Sequence, residues 1–193
     1  AYVVYDIKSG KIIASREAKR VLPLASITKV MTSLVMTEQL GPKAEVVVKS
    51  TSSDNKAGLY IGERWQLANL SALTLVVSSN DGAQALADAG TSTSESILAM
   101  NDKARSLGLN SMYFTNPTGL DEEGSIGGRG TAEEVAKLFS YIIKTRPEIL
   151  RPTKEEYLTK NSLETNHAVI NTNKIIKQVP GILASKTGYT DLA

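Results

Sequence analysis

Leu24-Ala25-Ser26-Ile27-Thr28-Lys29 sets a serine and a lysine three positions apart where a helix is expected to begin. On an α-helix, residues i and i+3 share a face about 5–6 Å apart between Cβ atoms, so the Lys29 amine can reach the Ser26 hydroxyl and, when neutral, take its proton. Ile27, Val30, Met31, Leu34 and Val35 form the apolar stripe of that helix, and Gly41-Pro42 is its stop signal. Ser26 then falls in the first turn, where unpaired N–H groups and the positive end of the helix dipole favour developing negative charge. Ser-x-x-Lys alone is weak, since chance places one in roughly every second chain of about 200 residues.

The 193 residues, 41% of them apolar, suffice for one domain with a real core, or one domain carrying a smaller helical lobe. Lys and Arg number 22 against 20 Asp and Glu, and the net charge of +2 argues against a nucleic-acid partner. With no cysteine and one histidine, a thiol nucleophile, a disulfide framework and a Cys/His zinc site are excluded or nearly so. Acid–base chemistry falls to Lys, Glu, Asp or Tyr, and neither metal nor cofactor is expected. No apolar run of about 18 residues and no basic-then-apolar leader occurs, so neither a membrane span nor a signal peptide is expected within the sequence.

Tyr2 to Asp6 and Lys11 to Ser15 read as an antiparallel hairpin around Ile7-Lys8-Ser9-Gly10, and the chain begins directly at its first strand. After the Ser26 helix come a strand at Glu45 to Lys49, a polar loop at Thr51 to Lys56 and an irregular link from Gly58 to Trp65. Leu67 to Val77 is too long for a typical strand and is read as a buried helix ending in Ser78-Ser79-Asn80-Asp81. Asp81 to Ala89 and Ser94 to Leu107 are helical, separated by Gly90 and stopped by Gly108, which suggests an all-α lobe. Phe114 to Leu120 is turn chemistry, Gly124 to Gly130 a loop, and Thr131-Ala132-Glu133-Glu134 a capping box opening another helix. Glu156 to Thr159 is a candidate strand, Asn161 to Asn173 is polar, and Gly181 to Gly188 reads as a strand. The order predicts an α+β chain whose terminal segments meet in one antiparallel sheet.

Ser26-x-x-Lys29, Ser78-x-Asn80 and Lys186-Thr187-Gly188 follow in that order, and together are far more specific than any one of them. With Val76 to Ala83, Phe114 to Asp121, Asn171-Thr172-Asn173 and Ala184 to Thr190, they make the sequence resemble the serine D-alanyl-D-alanine carboxypeptidases, the low-molecular-mass penicillin-binding proteins. The resemblance covers essentially the whole chain. It implies a β-lactamase/penicillin-binding transpeptidase-like fold in a single catalytic domain, with an α/β part at about 1–50 and 150–193 and a helical lobe at about 51–149.

The same resemblance implies that Ser26 attacks the carbonyl between the last two D-alanines of a peptidoglycan stem peptide, with Lys29 as base and Ser78 passing a proton to the leaving amine. Asn80 would hold a substrate amide and keep Lys29 in place, and Lys186 and Thr187 would meet the terminal carboxylate. Gly188 would let the strand approach the ligand, and the N–H groups of Ser26 and Tyr189 would form the oxyanion hole. Penicillins would trap the serine, and the location implied is extracytoplasmic.

In that family two strands and a long helix follow the Lys-Thr-Gly strand and a helix precedes the hairpin. The expectation here is a fragment whose sheet is completed by a missing part, a second chain or another copy. Two other functions compete. A β-lactamase would need a deacylating glutamate, and Glu164-Thr165-Asn166 only faintly resembles that pattern because Ser162 stands four residues before Asn166; Ser79 also replaces the aspartate of Ser-Asp-Asn. A weakly catalytic module that binds peptidoglycan peptides is the other. His167 is read as a surface or loop histidine, Trp65, Met31 and Met36 as packing residues, and Asp81, Glu133 and Glu134 as capping or solvated charges.

Overall fold

The computed structural model describes residues 1–122 and 124–191. Helix α1 (Thr28–Leu40) is its axis, and every residue from Thr28 to Thr37 is buried. A helix covered on all sides needs neighbours all round. These are α2 (Leu67–Val77), α3 (Asn80–Asp88) and α4 (Thr93–Ser106), each packed against α1. Met31, Leu34, Met36, Trp65, Leu70, Leu73 and Met100 are fully buried between these elements, so the apolar stripe of α1 and the expected packing residues lie in the core.

The hairpin is present as β1 (Tyr2–Asp6) and β2 (Lys11–Arg16), antiparallel with an irregularity between Val4 and Tyr5. β3 (Leu22–Pro23) leads into the serine turn. β4 (Glu45–Val47) pairs with β5 (Arg64–Gln66), which runs directly into α2. β6 (Tyr113–Phe114) and β7 (Gly128–Gly130) join β3 in a three-stranded sheet ordered β3-β7-β6. Helix α5 (Ala132–Thr145) opens with the expected capping box, the Thr131 hydroxyl accepting from Glu134 N–H while the Glu134 carboxylate accepts from Thr131 N–H. After α6 (Pro147–Leu150), β8 (Tyr157–Asn161) pairs with β9 (Asn166–Ile170).

Three expectations are corrected. The terminal segments do not meet in one sheet: the described strands form four small sheets, and β1 pairs with β2 alone. The segment from Gly181 to Gly188 is irregular rather than a strand. Val3 and Tyr5 of β1, with Ile7 just beyond it, line a groove of about 370 Å³ together with α5, Leu183 and Ala184, and backbones separated by such a groove cannot share ladder bonds at the ~4.8 Å spacing of a sheet. Side chains hold the segment instead: Ser185 N–H donates to Thr153 Oγ1 at 2.9 Å and Asn173 Nδ2 donates to Ser185 Oγ at 2.6 Å. Finally, the polar stretch from Asn161 to Asn173 contains β9, whose alternation buries His167 and Val169, so the single histidine is a core residue. Asp81, read as a capping or solvated charge, lies in the first turn of α3 and is buried, its carboxylate accepting from Ser52 N–H at 2.7 Å. Among the described residues, no helix is long and apolar enough to cross a membrane.

Candidate active site

Ser26 lies in a short 3-10 turn, Ala25–Ile27, that feeds α1, rather than in the α-helix itself. The turn is pinned to the β3-β7-β6 sheet where Leu24 N–H donates to the Gly128 carbonyl at 2.8 Å. Ala25, almost fully buried, has φ of 47°, in the left-handed region that a residue with a Cβ enters only at a cost. Such strain beside a nucleophile persists when its surroundings overdetermine it, and they do so here. Gly119 (φ 77°) packs so closely that a Cβ on it would lie 1.9 Å from the Ala25 carbonyl oxygen.

The Lys29 side chain is fully buried, with Nζ 2.8 Å from Ser26 Oγ. Burial, then the positive charges of Lys186 and Lys56, lower its pKa to about 6, with Asp54 opposing weakly. The amine's other contact is donation to the Thr118 carbonyl at 2.7 Å. A neutral amine donating there keeps its lone pair for the serine proton.

Thr118 is a residue that the sequence reading missed in this role. Asn116 builds its turn: its Oδ1 accepts from Thr118 N–H at 3.2 Å, Thr118 Oγ1 at 3.0 Å and Gly119 N–H at 2.8 Å, and its Nδ2 donates to the Leu120 carbonyl at 2.8 Å. The Asn-Pro-Thr-Gly turn chemistry is visible in the sequence. That it lies beneath a lysine 89 residues away is not.

Ser78 closes α2 with φ of 61°, its N–H donating to the Thr74 carbonyl. The next residue, Ser79, caps α3 by accepting from Gly82 N–H at 3.0 Å and is fully buried. The helix-closing reading of this stretch is therefore correct, and it does not exhaust it. The sharp reversal aims the Ser78 hydroxyl at Lys186, whose Nζ donates to it at 2.8 Å and to the Thr187 carbonyl at 2.6 Å. Burial and then the charge of Lys56 bring the pKa of Lys186 down to about 7. Asn80 lines the cleft, and its Oδ1 is buried without a hydrogen-bond partner among the described residues. Lys29 makes its hydrogen bonds to Ser26 and Thr118, not to Asn80.

The Lys186-Thr187-Gly188 segment packs along the serine turn. A Cβ on Gly188 would come within 3.0 Å of the Leu24 carbonyl oxygen and 3.5 Å of Ala25 Cβ, so glycine lets the two backbones approach. The hydroxyls of Thr187 and Thr172 lie 2.6 Å apart, and Thr172 N–H donates to the Val76 carbonyl at 3.1 Å, tying the segment to the end of α2. Ser26, Ser78, Asn80 and Tyr189 line one open cleft of about 550 Å³. The cleft is also lined by Asp54 and Lys56, joined at 3.2 Å and absent from the sequence-based set. Among the predicted residues, Ser26, Lys29, Ser78, Asn80, Lys186 and Tyr189 converge on the cleft or on its lining side chains, while Thr187 and Gly188 form the backbone behind it.

The family model for D-alanyl-D-alanine carboxypeptidase, peptidase S11, matches residues 1–193. The chain belongs to this family. The D-alanyl-D-alanine carboxypeptidase DacF of Bacillus subtilis is 33% identical over 97% of the chain and 50% of its own length, and DacB2 of Mycobacterium tuberculosis is 31% identical over 100% and 66%. The chain thus spans about half to two thirds of these S11 relatives. Penicillin-binding protein D2 of Listeria monocytogenes in its ampicillin-bound form superposes with a TM-score of 0.86 at 26% identity, covering 99% of the chain and 79% of that structure. The α+β architecture is therefore that of the penicillin-binding DD-peptidases.

Proposed function

We propose that this S11-family chain is a serine D-alanyl-D-alanine carboxypeptidase that removes the terminal D-alanine of peptidoglycan stem peptides through an acyl-enzyme on Ser26. The observation that carries the reading is the 2.8 Å contact between Ser26 Oγ and a buried Lys29 amine whose pKa is lowered to about 6. An amine neutral near pH 7 is a general base matched to its task.

In this mechanism Lys29 accepts the Ser26 proton as Oγ bonds to the penultimate D-alanine carbonyl carbon. The backbone N–H groups of Ser26 and Tyr189 receive the oxyanion, each worth about 2.7–4 kcal/mol of barrier. Asn80 Oδ1 accepts from a substrate amide N–H. As the C–N bond breaks, the proton that Lys29 took from Ser26 reaches the departing amine through Ser78, and Lys29, neutral again, takes a proton from the water that attacks the ester, returning it to Ser26 Oγ as the acid leaves. Lys186 and Thr187 bind the terminal carboxylate, whose approach returns charge to Lys186. β-Lactams, which bear a carboxylate and an acylating carbonyl, enter the same site.

The reading extends to the domain: residues 1–193 act as one catalytic unit, with its α/β part at about 1–50 and 150–193 and its helical lobe at about 51–149. The groove between β1 and Leu183-Ala184 is where strands from a longer chain or a second copy complete the sheet. The substrate sets an extracytoplasmic place of work. The β-lactamase alternative finds no support, because Glu164 is bound to Arg64 at 2.7 Å and does not line the cleft.

Intact-protein mass spectrometry after incubation with benzylpenicillin, with Ser26→Ala as control, and D-alanine release from a D-Ala-D-Ala peptide test the proposal. A stable single adduct and release, both lost in Ser26→Ala, are expected. A folded chain that shows neither would refute it, and an adduct that disappears quickly as the drug is hydrolysed would restore the β-lactamase.

A further inference from the structure

The part of the cleft that carries Asp54 and Lys56 is a loop anchored at both ends. At one end Ser52 N–H donates to Asp81 at 2.7 Å. At the other, His167 Nδ1 lies 3.0 Å from the Ala57 carbonyl oxygen, immediately after Lys56, while His167 Nε2 lies 2.5 Å from Glu63 Oε1. Glu63 is fully buried, and its second oxygen accepts from Tyr60 N–H at 3.3 Å. Neither residue touches the reacting atoms, and neither has a part in the mechanism above.

The geometry specifies a proton count. Both partners of the imidazole are acceptors, a carbonyl and a carboxylate. Both contacts are hydrogen bonds only when each ring nitrogen carries a proton, or when Glu63 is itself protonated and donates to Nε2. A neutral imidazole beside an ionised Glu63 would leave two acceptors face to face in the core, which buried polar groups do not tolerate.

We propose that Glu63 and His167 are positioning residues for the cleft: a buried latch that shares one extra proton and holds the Ser52–Ala57 wall, and with it Lys56, over the serine. The latch is closed while that proton is bound. The charged and titratable groups around it are Lys160, opposite His167 on β8, the Arg64–Glu164 pair beside Glu63, Tyr60, and Asp54 and Lys56 on the loop. The latch's purpose rests on the proposed acyl transfer; its existence does not.

The chain carries its own reporters. Trp65 is the only tryptophan and His167 the only histidine, and their ring centroids are 5.0 Å apart, so loss of charge or displacement at the imidazole alters tryptophan emission. Trp65 fluorescence and amide exchange of residues 57–60 would be followed against pH in the wild type, in Glu63→Gln and in His167→Phe, with benzylpenicillin acylation rates measured alongside. Glutamine at 63 can donate to a neutral imidazole and still accept from Tyr60, so Glu63→Gln is expected to keep the loop protected at every pH, whereas the wild type's signals are expected to depend on the shared proton. Phenylalanine at 167 keeps the ring packing but supplies no donor, so exchange there should rise on the order of tenfold and acylation fall by about the same factor.

Identical pH courses for the wild type and Glu63→Gln would overturn the shared proton, because other titrating groups act equally in both. Unchanged exchange and acylation in His167→Phe would overturn the positioning role. A wild type that forms no adduct refutes the carboxypeptidase reading, while exchange and fluorescence still decide the latch.

Discussion

The carbonyl oxygen of Thr118 lies 2.7 Å from the amine of Lys29, whose other contact is Ser26 Oγ at 2.8 Å. This one backbone acceptor fixes which way the lysine's lone pair points. The Asn116 turn sets the position of Thr118, and the close seat of Gly119 against Ala25 sets the height of that turn over the serine.

Removing Asn116 is therefore expected to act through Lys29. Asn116→Ala leaves Thr118 and Gly119 without their shared acceptor and should cost about 1–3 kcal/mol of stability. Acylation by benzylpenicillin should fall by roughly a hundredfold if the Thr118 carbonyl moves by about an ångström. Stopped-flow acylation beside denaturant unfolding would separate the two effects.

Gly119→Ala is a harsher change. Its Cβ would meet the Ala25 carbonyl oxygen at 1.9 Å and Thr28 Oγ1 at 2.7 Å, in a backbone already at φ 77°. The Ser26 turn or the loop must move, and a loss of about 3 kcal/mol or more is expected. Retention of wild-type melting temperature and acylation rate would contradict the packing described.

The two lysines set opposite limbs of a pH profile. Acylation of the free enzyme should rise as Lys29 loses its proton through about pH 6, and fall as Lys186 loses its own through about pH 7 for ligands bearing a carboxylate. Lys186→Gln removes a positive charge that lowers the Lys29 pKa, so its acid limb should move to higher pH while carboxylate binding weakens. Rates of penicillin adduct formation from pH 5 to 9 would read both limbs.

Those lowered values also tie stability to pH. Lys29 and Lys186 hold protons in the unfolded chain up to the ordinary 10.5 but release them at about 6 and about 7 when folded. The unfolded state therefore binds more protons between these limits, and stability should rise with pH across that window and fall on acidification towards pH 6. Lys29→Met removes the buried amine and should raise the melting temperature at neutral pH, by about 2–4 °C for each kcal/mol gained, while abolishing acylation. A lower melting temperature would show that Lys29 packing outweighs its desolvation.

Thr131→Ala tests the helix cap away from the site. It breaks the capping box with Glu134 and should lower stability by about 1 kcal/mol, measured by denaturant unfolding, with acylation unchanged.

The local rules were legible in the sequence because their causes are local. The stripe from Ile27 to Val35, the Thr131 box and the Gly41 stop each report a helix from a few neighbouring residues, and each is where it was expected. The three short motifs and their order also sufficed to name the family, and they contain Ser26, Lys29 and Lys186, to which the proposed mechanism gives the parts of nucleophile, base and carboxylate partner.

Tertiary structure alone decided the rest. Alternation did not mark β9, because its inward positions include His167, a polar side chain made compatible with the core by Glu63 and the Ala57 carbonyl, 104 and 110 residues away. The Lys-Thr-Gly segment has strand-like composition but is not a strand, because a ladder needs a partner backbone and a groove stands between it and β1. The pKa of Lys29 is likewise no property of Ser-x-x-Lys. It comes from burial by four helices' packing and from charges at positions 56 and 186, which the chain's fold, not its local sequence, brings beside one amine.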